Sequence, residues 1–478
     1  MSEDLGITVK KEKNFGEWYL EVVRKGKLID QRYPVKGCDV FMPRGFSIWE
    51  TIQKKLDKKF KDAGVKNVYF PLLIPEHLLR LEEKHFEGFS AEVPWVTMGG
   101  ETELEERLAI RPTSEVPIYV MFSKWLRSHA DLPFKINQWC NVMRWETKAT
   151  KPFLRGREFL WQEGHTMHES KEKADEQVKA ALEWYRELME EELAMPVMIF
   201  KRPEHDKFAG AFYTAALDSM MPDGRTLQVG TSHNLGQNFS KPFNIEFLDK
   251  ENQKQYAWQT SWGVSTRVIG GMVMLHSDDR GLVLPPRVAP LQVVIVPIYR
   301  AETEETVIKA ATEIFEQLKE LKVEIDLRDK SPGFKFADAE LKGIPLRVEI
   351  GPKEVEKGEV VIVRRDTGEK IKVKNGETGH EIDALLKKMQ KDLFSRAKKI
   401  LSTSIVDAGN WELLVELIGK KKMVRIGWCG QIECAEKLKE KTGAEIRGEL
   451  FEKEVHKREK CAICEKRSVG VFYAARQY

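Results

Sequence analysis

Arg144–His165 reads RWETKATKPFLRGREFLWQEGH. Three arginines, three glutamates, two tryptophans and a histidine fall in two short pieces, RWE ahead of a polar break and RGREFLWQEGH after it. Apolar and charged residues alternate on both sides: Val142, Arg144 and Glu146, then Phe159, Trp161 and Glu163. A period of two predicts a β-hairpin rather than a helix. Inward positions carrying Arg, Glu and His need partners if they are buried. The hairpin is therefore either a solvated ribbon or the floor of a charged site, and the rest of the chain bears on which.

On the N-terminal side, WETIQKKLDKKF places Trp49, Ile52, Leu56 and Phe60 on one helical face. Ala63-Gly64 stops that helix, and VKNVYFPLLIP follows as a strand ending in proline. RPTSEVPIYVMFSKWL (111–126) reads as a polar turn leading into an apolar helix. On the C-terminal side, Ser170 to Met195 gives a long amphipathic helix stopped by Pro196. Residues 197–285 read as strands alternating with glycine-rich turns, among them QVGTSHNLGQNF and TSWGVSTRVIGG. An antiparallel sheet carrying helices is the expected result, an α+β class. After PPRVAP the composition changes. LQVVIVPI, an amphipathic helix and VEIDLRD form a βαβ unit, completed by a short helix, IPLRVEIG and the hairpin VVIVRRDTGEKIKVK. A further helix at 380–401 leads to a small C-terminal unit. The expected domains are 1–285, 286–385 and 386–478.

Composition limits the classes. A chain of 478 residues with 42% hydrophobic content supports two to four domains. Lys plus Arg is 78 against 75 for Asp plus Glu, so any nucleic-acid surface must be local. The N-terminus has no apolar signal core, and the longest strongly apolar run, LQVVIVPIY, is too short for a membrane span. A cytoplasmic protein without membrane contact is expected. Cys38 and Cys140 are isolated and read as inert thiols. Cys429-x4-Cys434 and Cys461-x2-Cys464 are two close pairs one small domain apart, which suits a tetrahedral, structural Zn²⁺ site. The alternative is four free thiols, and His456 is a possible substitute ligand.

Three further stretches carry polar chemistry. In Arg111-Pro-Thr-Ser-Glu115 a hydroxyl and a carboxylate two residues apart can hold an ammonium group, or Thr113 or Ser114 can simply cap a helix. Gln228-Val-Gly-Thr-Ser-His233 is a polar cluster or a turn, and SDDRGLVLPPR (277–287) a polar loop with a strand or a solvated loop. Together, in this order, the stretches resemble a class II aminoacyl-tRNA synthetase. Residues 45–75 look like motif 1, RWE with RGREF like motif 2, and GLVLPPR like motif 3. RPTSE, EGHTMH and GTSH narrow the resemblance to the prolyl-tRNA synthetase family, the βαβ unit is similar to that group's anticodon-binding domain, and the four-cysteine tail with its terminal tyrosine resembles the eukaryote- and archaeon-like branch.

The resemblance implies an ATP-dependent proline–tRNA ligase that makes prolyl-adenylate from L-proline and transfers it to tRNA(Pro), with Mg²⁺ on the phosphates, working as a homodimer. It implies Arg144 and Arg287 as catalytic residues. Arg144, Glu146, Arg155, Phe159, Gln228, Thr231 and Arg287 would bind ATP, with Phe159 and Arg287 on opposite faces of adenine. Thr113, Glu115, Arg144, Trp161, Glu163, His165, Phe208, His233 and Ser265 would bind proline, and Cys429, Cys434, Cys461 and Cys464 the metal. No room is left between His165 and Gly270 for the large inserted editing domain of the bacterial branch. Arg347, Lys353, Arg364 and Arg365 are expected on a tRNA-facing surface. The rival readings are a paralogue that activates an amino acid without a tRNA substrate, and a zinc-containing RNA-binding protein with a dead catalytic domain.

Overall fold

The computed structural model describes residues 6–83, 92–452 and 458–478. His456 lies outside the described residues. The site rests on one eleven-stranded sheet. At its centre Met198–Lys201, Tyr213–Met220, Arg225–Gly236, Trp258–Ser265, Glu158–His168 and Phe134–Met143 run as antiparallel neighbours in that order. The expected hairpin is present: Phe134–Met143 pairs with Glu158–His168, Val142 opposite Phe159. Arg144 is just beyond the strand, its amide still donating to the Arg157 carbonyl at 2.7 Å.

Two helices cover one face of this sheet. Pro43–Asp62 buries Ile48, Trp49, Ile52, Leu56 and Phe60, the stripe that its spacing predicts. Lys171–Glu187 starts where the Ser170 side chain accepts from the Lys173 amide, and it buries Ala174, Val178, Ala181, Leu182 and Tyr185. The Phe60 ring lies 5.3 Å from Trp184 and 6.2 Å from Trp262 of the sheet, locking helices to strands through edge-on aromatic contacts. Trp262 lies across Gly164, where a Cβ would come within 2.1 Å of the indole, so the Q-E-G-H stretch tolerates no larger residue there.

Several elements differ from the expectation. VKNVYFPLLIP is two short strands, Lys66–Asn67 beside Phe134–Met143 and Leu73–Pro75 in a separate sheet with Thr102–Ile110. QVGTSHNLG is not a turn but the middle of the strand Arg225–Gly236. TRVIGGMVMLH is the helix Arg267–His276, all but its ends buried. The glycines that suggested turns mark close packing instead: a Cβ on Gly270 would lie 2.6 Å from Leu154 and 2.9 Å from the Tyr19 hydroxyl. GLVLPPR forms no strand and ends in a turn, and its Leu282 amide donates to the Leu341 carbonyl of the following domain at 3.1 Å.

Residues 291–374 form a five-stranded sheet in the order Val323–Ile325, Val293–Pro297, Leu346–Ile350, Glu359–Arg364, Lys370–Lys374, the first three parallel. The helix Glu304–Gln317 makes the crossover. The long helix Thr378–Ser404 then leads to a C-terminal unit with its own core. Four strands after that helix belong to the eleven-stranded sheet, and two of them meet its centre directly: Ala444–Leu450 pairs with Met198–Lys201, and Gly470–Gln477 meets Arg225–Thr226. The molecule is thus an antiparallel layer with helices on one face, a mixed α/β domain and a cysteine-bearing C-terminal unit sharing the main sheet. Among the described residues no helix is long and apolar enough to cross a membrane.

Candidate active site

The sheet's open face holds a cavity of about 380 Å³. One part is acidic and built on the RPTSE turn. Arg111 staples that turn, its guanidinium donating to the carbonyls of Asn141 (2.9 Å) and Phe70 (2.8 Å). Ser114 precedes the helix Glu115–Trp125 but does not cap it; its hydroxyl donates to Glu163. Gln138 donates to Glu163 as well, at 3.2 Å, and His165 lies 3.3 Å from it. The other ring nitrogen of His165 meets the Tyr119 hydroxyl at 3.1 Å. Burial raises the Glu163 carboxyl, but the His165, Ser114 and Gln138 contacts outweigh it and hold the group below its ordinary pKa. Glu115 accepts from the Thr113 hydroxyl, yet burial and the Glu163 charge leave its pKa raised. A buried carboxylate pair with one raised member is short of positive charge, which a bound ammonium supplies. Phe208 closes this part; its ring is 4.9 Å from His233, which is wedged between Thr214 (2.8 Å) and Thr231 (3.1 Å). Burial, then the neighbouring His165 charge, lowers His233 to about 3, so it is neutral at working pH.

The other part is basic. Arg267, Arg202, Lys207 and the amide of Gln228 line it with Thr231. Arg267 is the first residue of the helix Arg267–His276, and Ser265 just before that helix also lines the cavity. Arg144 stands between the halves. Its Nε donates to the Pro112 carbonyl at 3.2 Å, and the guanidinium lies over the rings of Phe159 (5.4 Å) and Trp161 (5.5 Å). Its charge is felt on both sides: by the carboxylates Glu115 and Glu163, and by Arg267.

Of the residues expected at the site, Thr113, Glu115, Arg144, Phe159, Trp161, Glu163, His165, Phe208, Gln228, Thr231, His233 and Ser265 line this one cavity. Glu146 and Arg155 do not line it. Both are exposed, Glu146 just past the hairpin strand and Arg155 on the loop, where its charge still reaches Arg267. Arg287 is elsewhere, half-exposed, 3.6 Å from both Glu191 and Glu192. Arg267, which does line the cavity, was hidden in a glycine-rich stretch expected to be a turn. Its signal was Ser265-Thr266 followed by the apolar run VIGGMVML, a helix-start pattern. Arg202, Asp206, Lys207 and Thr214 also line the cavity and carried no motif.

The other expected centre is also assembled. One sulfur from each of Cys429, Cys434, Cys461 and Cys464 falls within 4.8 Å of the others, with Cys429 at 3.6 Å from both Cys434 and Cys464. Tetrahedral zinc–sulfur bonds of about 2.3 Å require ligand separations of roughly 3.8 Å, so the set fits. The expected tRNA-facing arginines are not on the surface. Arg364 is buried on Asp366 (3.0 Å) and Asp392 (2.8 Å), Arg347 on Glu349 (2.8 Å), and Arg365 grips Asp278 with both terminal nitrogens. Their charge is spent within the fold.

An antiparallel sheet whose cavity has a basic half, an acidic half and an arginine between them is the layout expected of a class II aminoacyl-tRNA synthetase. Comparison agrees: residues 95–276 match the tRNA synthetase class II core domain (G, H, P, S and T), 292–385 an anticodon binding domain, and 411–478 the prolyl-tRNA synthetase C-terminal family. The chain is 48% identical to a proline–tRNA ligase of Cenarchaeum symbiosum, over 99% of this chain and 100% of the relative. It is 47% identical to proline–tRNA ligase 2 of Bacillus cereus, over 100% and 99%. A Cryptosporidium parvum prolyl-tRNA synthetase solved with halofuginone and AMPPNP superposes with a TM-score of 0.95 at 42% identity, covering 99% of this chain and 100% of that one. The same enzyme with L-proline and AMP gives 0.94 at 40%, covering 100% and 98%. The chain belongs to the prolyl-tRNA synthetase family.

Proposed function

We propose that this cavity activates L-proline with ATP and passes the prolyl group to tRNA(Pro), and that the placement of Arg144 between the two halves carries the chemistry. The acidic half takes the prolyl ammonium on Glu115, Thr113 and Glu163, with Trp161, His165, Phe208, His233 and Ser265 around the ring. The basic half takes ATP, with Phe159 against adenine and Arg267 among the phosphates. Arg144 then faces both the carboxylate and the α-phosphate. The carboxylate oxygen attacks that phosphorus, pyrophosphate leaves, and prolyl-adenylate remains. Positioning and charge stabilisation do most of this work, because negative charge grows where a planar guanidinium can bind it bidentately. No general base is required for an ionised carboxylate. The ribose hydroxyl at the tRNA 3′ end next attacks the prolyl carbonyl, and AMP leaves.

Among the described residues, the ATP-side lining contains a single carboxylate, Asp206. Mg²⁺ would therefore enter mainly on the phosphate oxygens and water, as is usual for this ion. Zn²⁺ would be held by Cys429, Cys434, Cys461 and Cys464 and would brace the C-terminal unit. Exposed Phe46, Tyr69, Leu72, Leu73, Trp95 and Met98 support a homodimer built through the motif 1 region. The proposed enzyme has no editing domain of its own. Charging of bulk tRNA with labelled proline tests the overall reading; adenylate formation without charging would favour a paralogue lacking a tRNA substrate.

A further inference from the structure

Two walls of the ATP-side cavity, Arg202 and Gln228, are tied to a wholly buried charge cluster behind them. Asp218 is fully enclosed in the strand Tyr213–Met220, opposite Gln228 in register. Arg202 grips it with two nitrogens, at 2.6 and 3.2 Å, and one of these also donates to the Gln228 Oε1 at 2.8 Å. On the far side Asp218 accepts from the Arg447 Nε at 2.8 Å, and the Arg447 carbonyl accepts from Arg202 at 2.7 Å. Arg447 belongs to the C-terminal unit and is fully buried.

Backbone irregularities aim these groups. The pairing beside Asp218 shifts by one residue at Leu217/Asp218, and that beside Arg447 shifts between Ile446 and Gly448. Bulges of this kind redirect side chains next to active sites. Gly448 has φ +131°, and a Cβ there would lie 2.2 Å from the Lys201 carbonyl, so the strand bearing Arg447 is seated hard against the residue preceding Arg202. Such a cluster is poor evidence for added stability, because desolvating three charges is costly, whereas removing one member leaves the others uncompensated.

The chemistry at Gln228 shows what the cluster does. A guanidinium only donates, so the atom of Gln228 facing Arg202 must be the oxygen. The Nε2 donor is then the group presented to the cavity, which suits an acceptor such as a phosphate or ribose oxygen. Resting on the assignment of this half to ATP, we propose that Asp218 and Arg447 are positioning residues for nucleotide recognition, the C-terminal unit fixing the Gln228 amide through Arg447, Asp218 and Arg202.

The test uses the full-length, metal-loaded enzyme and pyrophosphate exchange, with separate KM values for ATP and proline. Gln228→Ala is expected to raise the ATP KM about tenfold. Arg447→Lys, which keeps the charge but loses the fork, and Asp218→Asn should each raise it about three- to tenfold, with the proline KM within about twofold. In the Gln228→Ala background, Arg447→Lys should add less than about twofold. Circular dichroism and metal content check the fold; if Asp218→Asn does not fold, Arg447→Lys carries the test. An unchanged ATP KM in Arg447→Lys, a loss confined to kcat, or full additivity with Gln228→Ala would overturn the relay. A normal ATP KM in Gln228→Ala would overturn it differently, by showing that the ATP assignment beneath it fails.

Discussion

Arg267 and Arg144 line the same cavity so closely that, after burial, the Arg144 charge is the largest influence lowering the Arg267 guanidinium, to about 10. Two cations held together without ligand are costly in the free protein, and a polyphosphate removes the cost. Arg267→Ala and Arg144→Ala should each reduce proline-dependent exchange by ~10²–10³-fold, the usual loss for one transition-state donor. Arg287→Ala should stay within a few fold, since that side chain contacts Glu191 and Glu192 instead. A large loss at Arg287 with a normal Arg267 variant would reverse the assignment.

Glu115 gives a prediction in which function and stability move apart. Its folded pKa is raised, so its contribution to stability is complete below the ordinary carboxylate value and is lost as pH rises through the raised one. Above the raised value the ionised group is a burden on the free enzyme. Glu115→Gln should therefore unfold no earlier than the parent at pH 7 while raising the proline KM by ~10–100-fold, the worth of a charge-assisted hydrogen bond. Thermal scans and exchange kinetics on one preparation check both. A clear drop in Tm with an unchanged proline KM would show that Glu115 is only structural.

The hairpin was legible because alternation and charge coincide: Arg144, Phe159, Trp161, Glu163 and His165 are local in sequence and share one face. The four cysteines were legible because thiolates at paired spacings have few other uses. Arg267 was not, because glycine within TRVIGGMVML signals a turn as readily as the helix packing found against Leu154 and Tyr19. Arg202 and Asp218 were not, because their partner Arg447 is more than two hundred residues away. Arg347 and Arg364 read as surface although Glu349 and Asp366 lie two residues on, because that spacing does not say the pairs will be buried, and Arg365 because its partner Asp278 is distant in sequence.

That last point has its own test. Arg364→Ala leaves Asp366 with only the half-exposed Arg396 as an ionic partner and should destabilise by ~1–3 kcal/mol. Denaturant unfolding measures this. The salt slope of tRNA binding should be unchanged, because the side chain makes no phosphate contact. A flatter salt slope with normal stability would return Arg364 to the tRNA surface.

Metal should be present at about one zinc per chain. Cys429→Ser or Cys464→Ser should lose it and lower Tm. Because the strand Ala444–Leu450 is hydrogen-bonded to Met198–Lys201, ATP affinity should weaken as well. Metal analysis of protein purified without chelator reads the first effect, and exchange kinetics the last. A metal-free parent with full stability would remove the site.

Proline-dependent ATP–pyrophosphate exchange, with and without tRNA, bears most directly on the central claim. The predicted result is exchange with L-proline alone, weaker exchange with alanine because a pocket discriminates poorly against a smaller side chain, and loss of both in Arg144→Ala. Absence of exchange with proline, or equal exchange in the Arg144→Ala variant, would contradict the account.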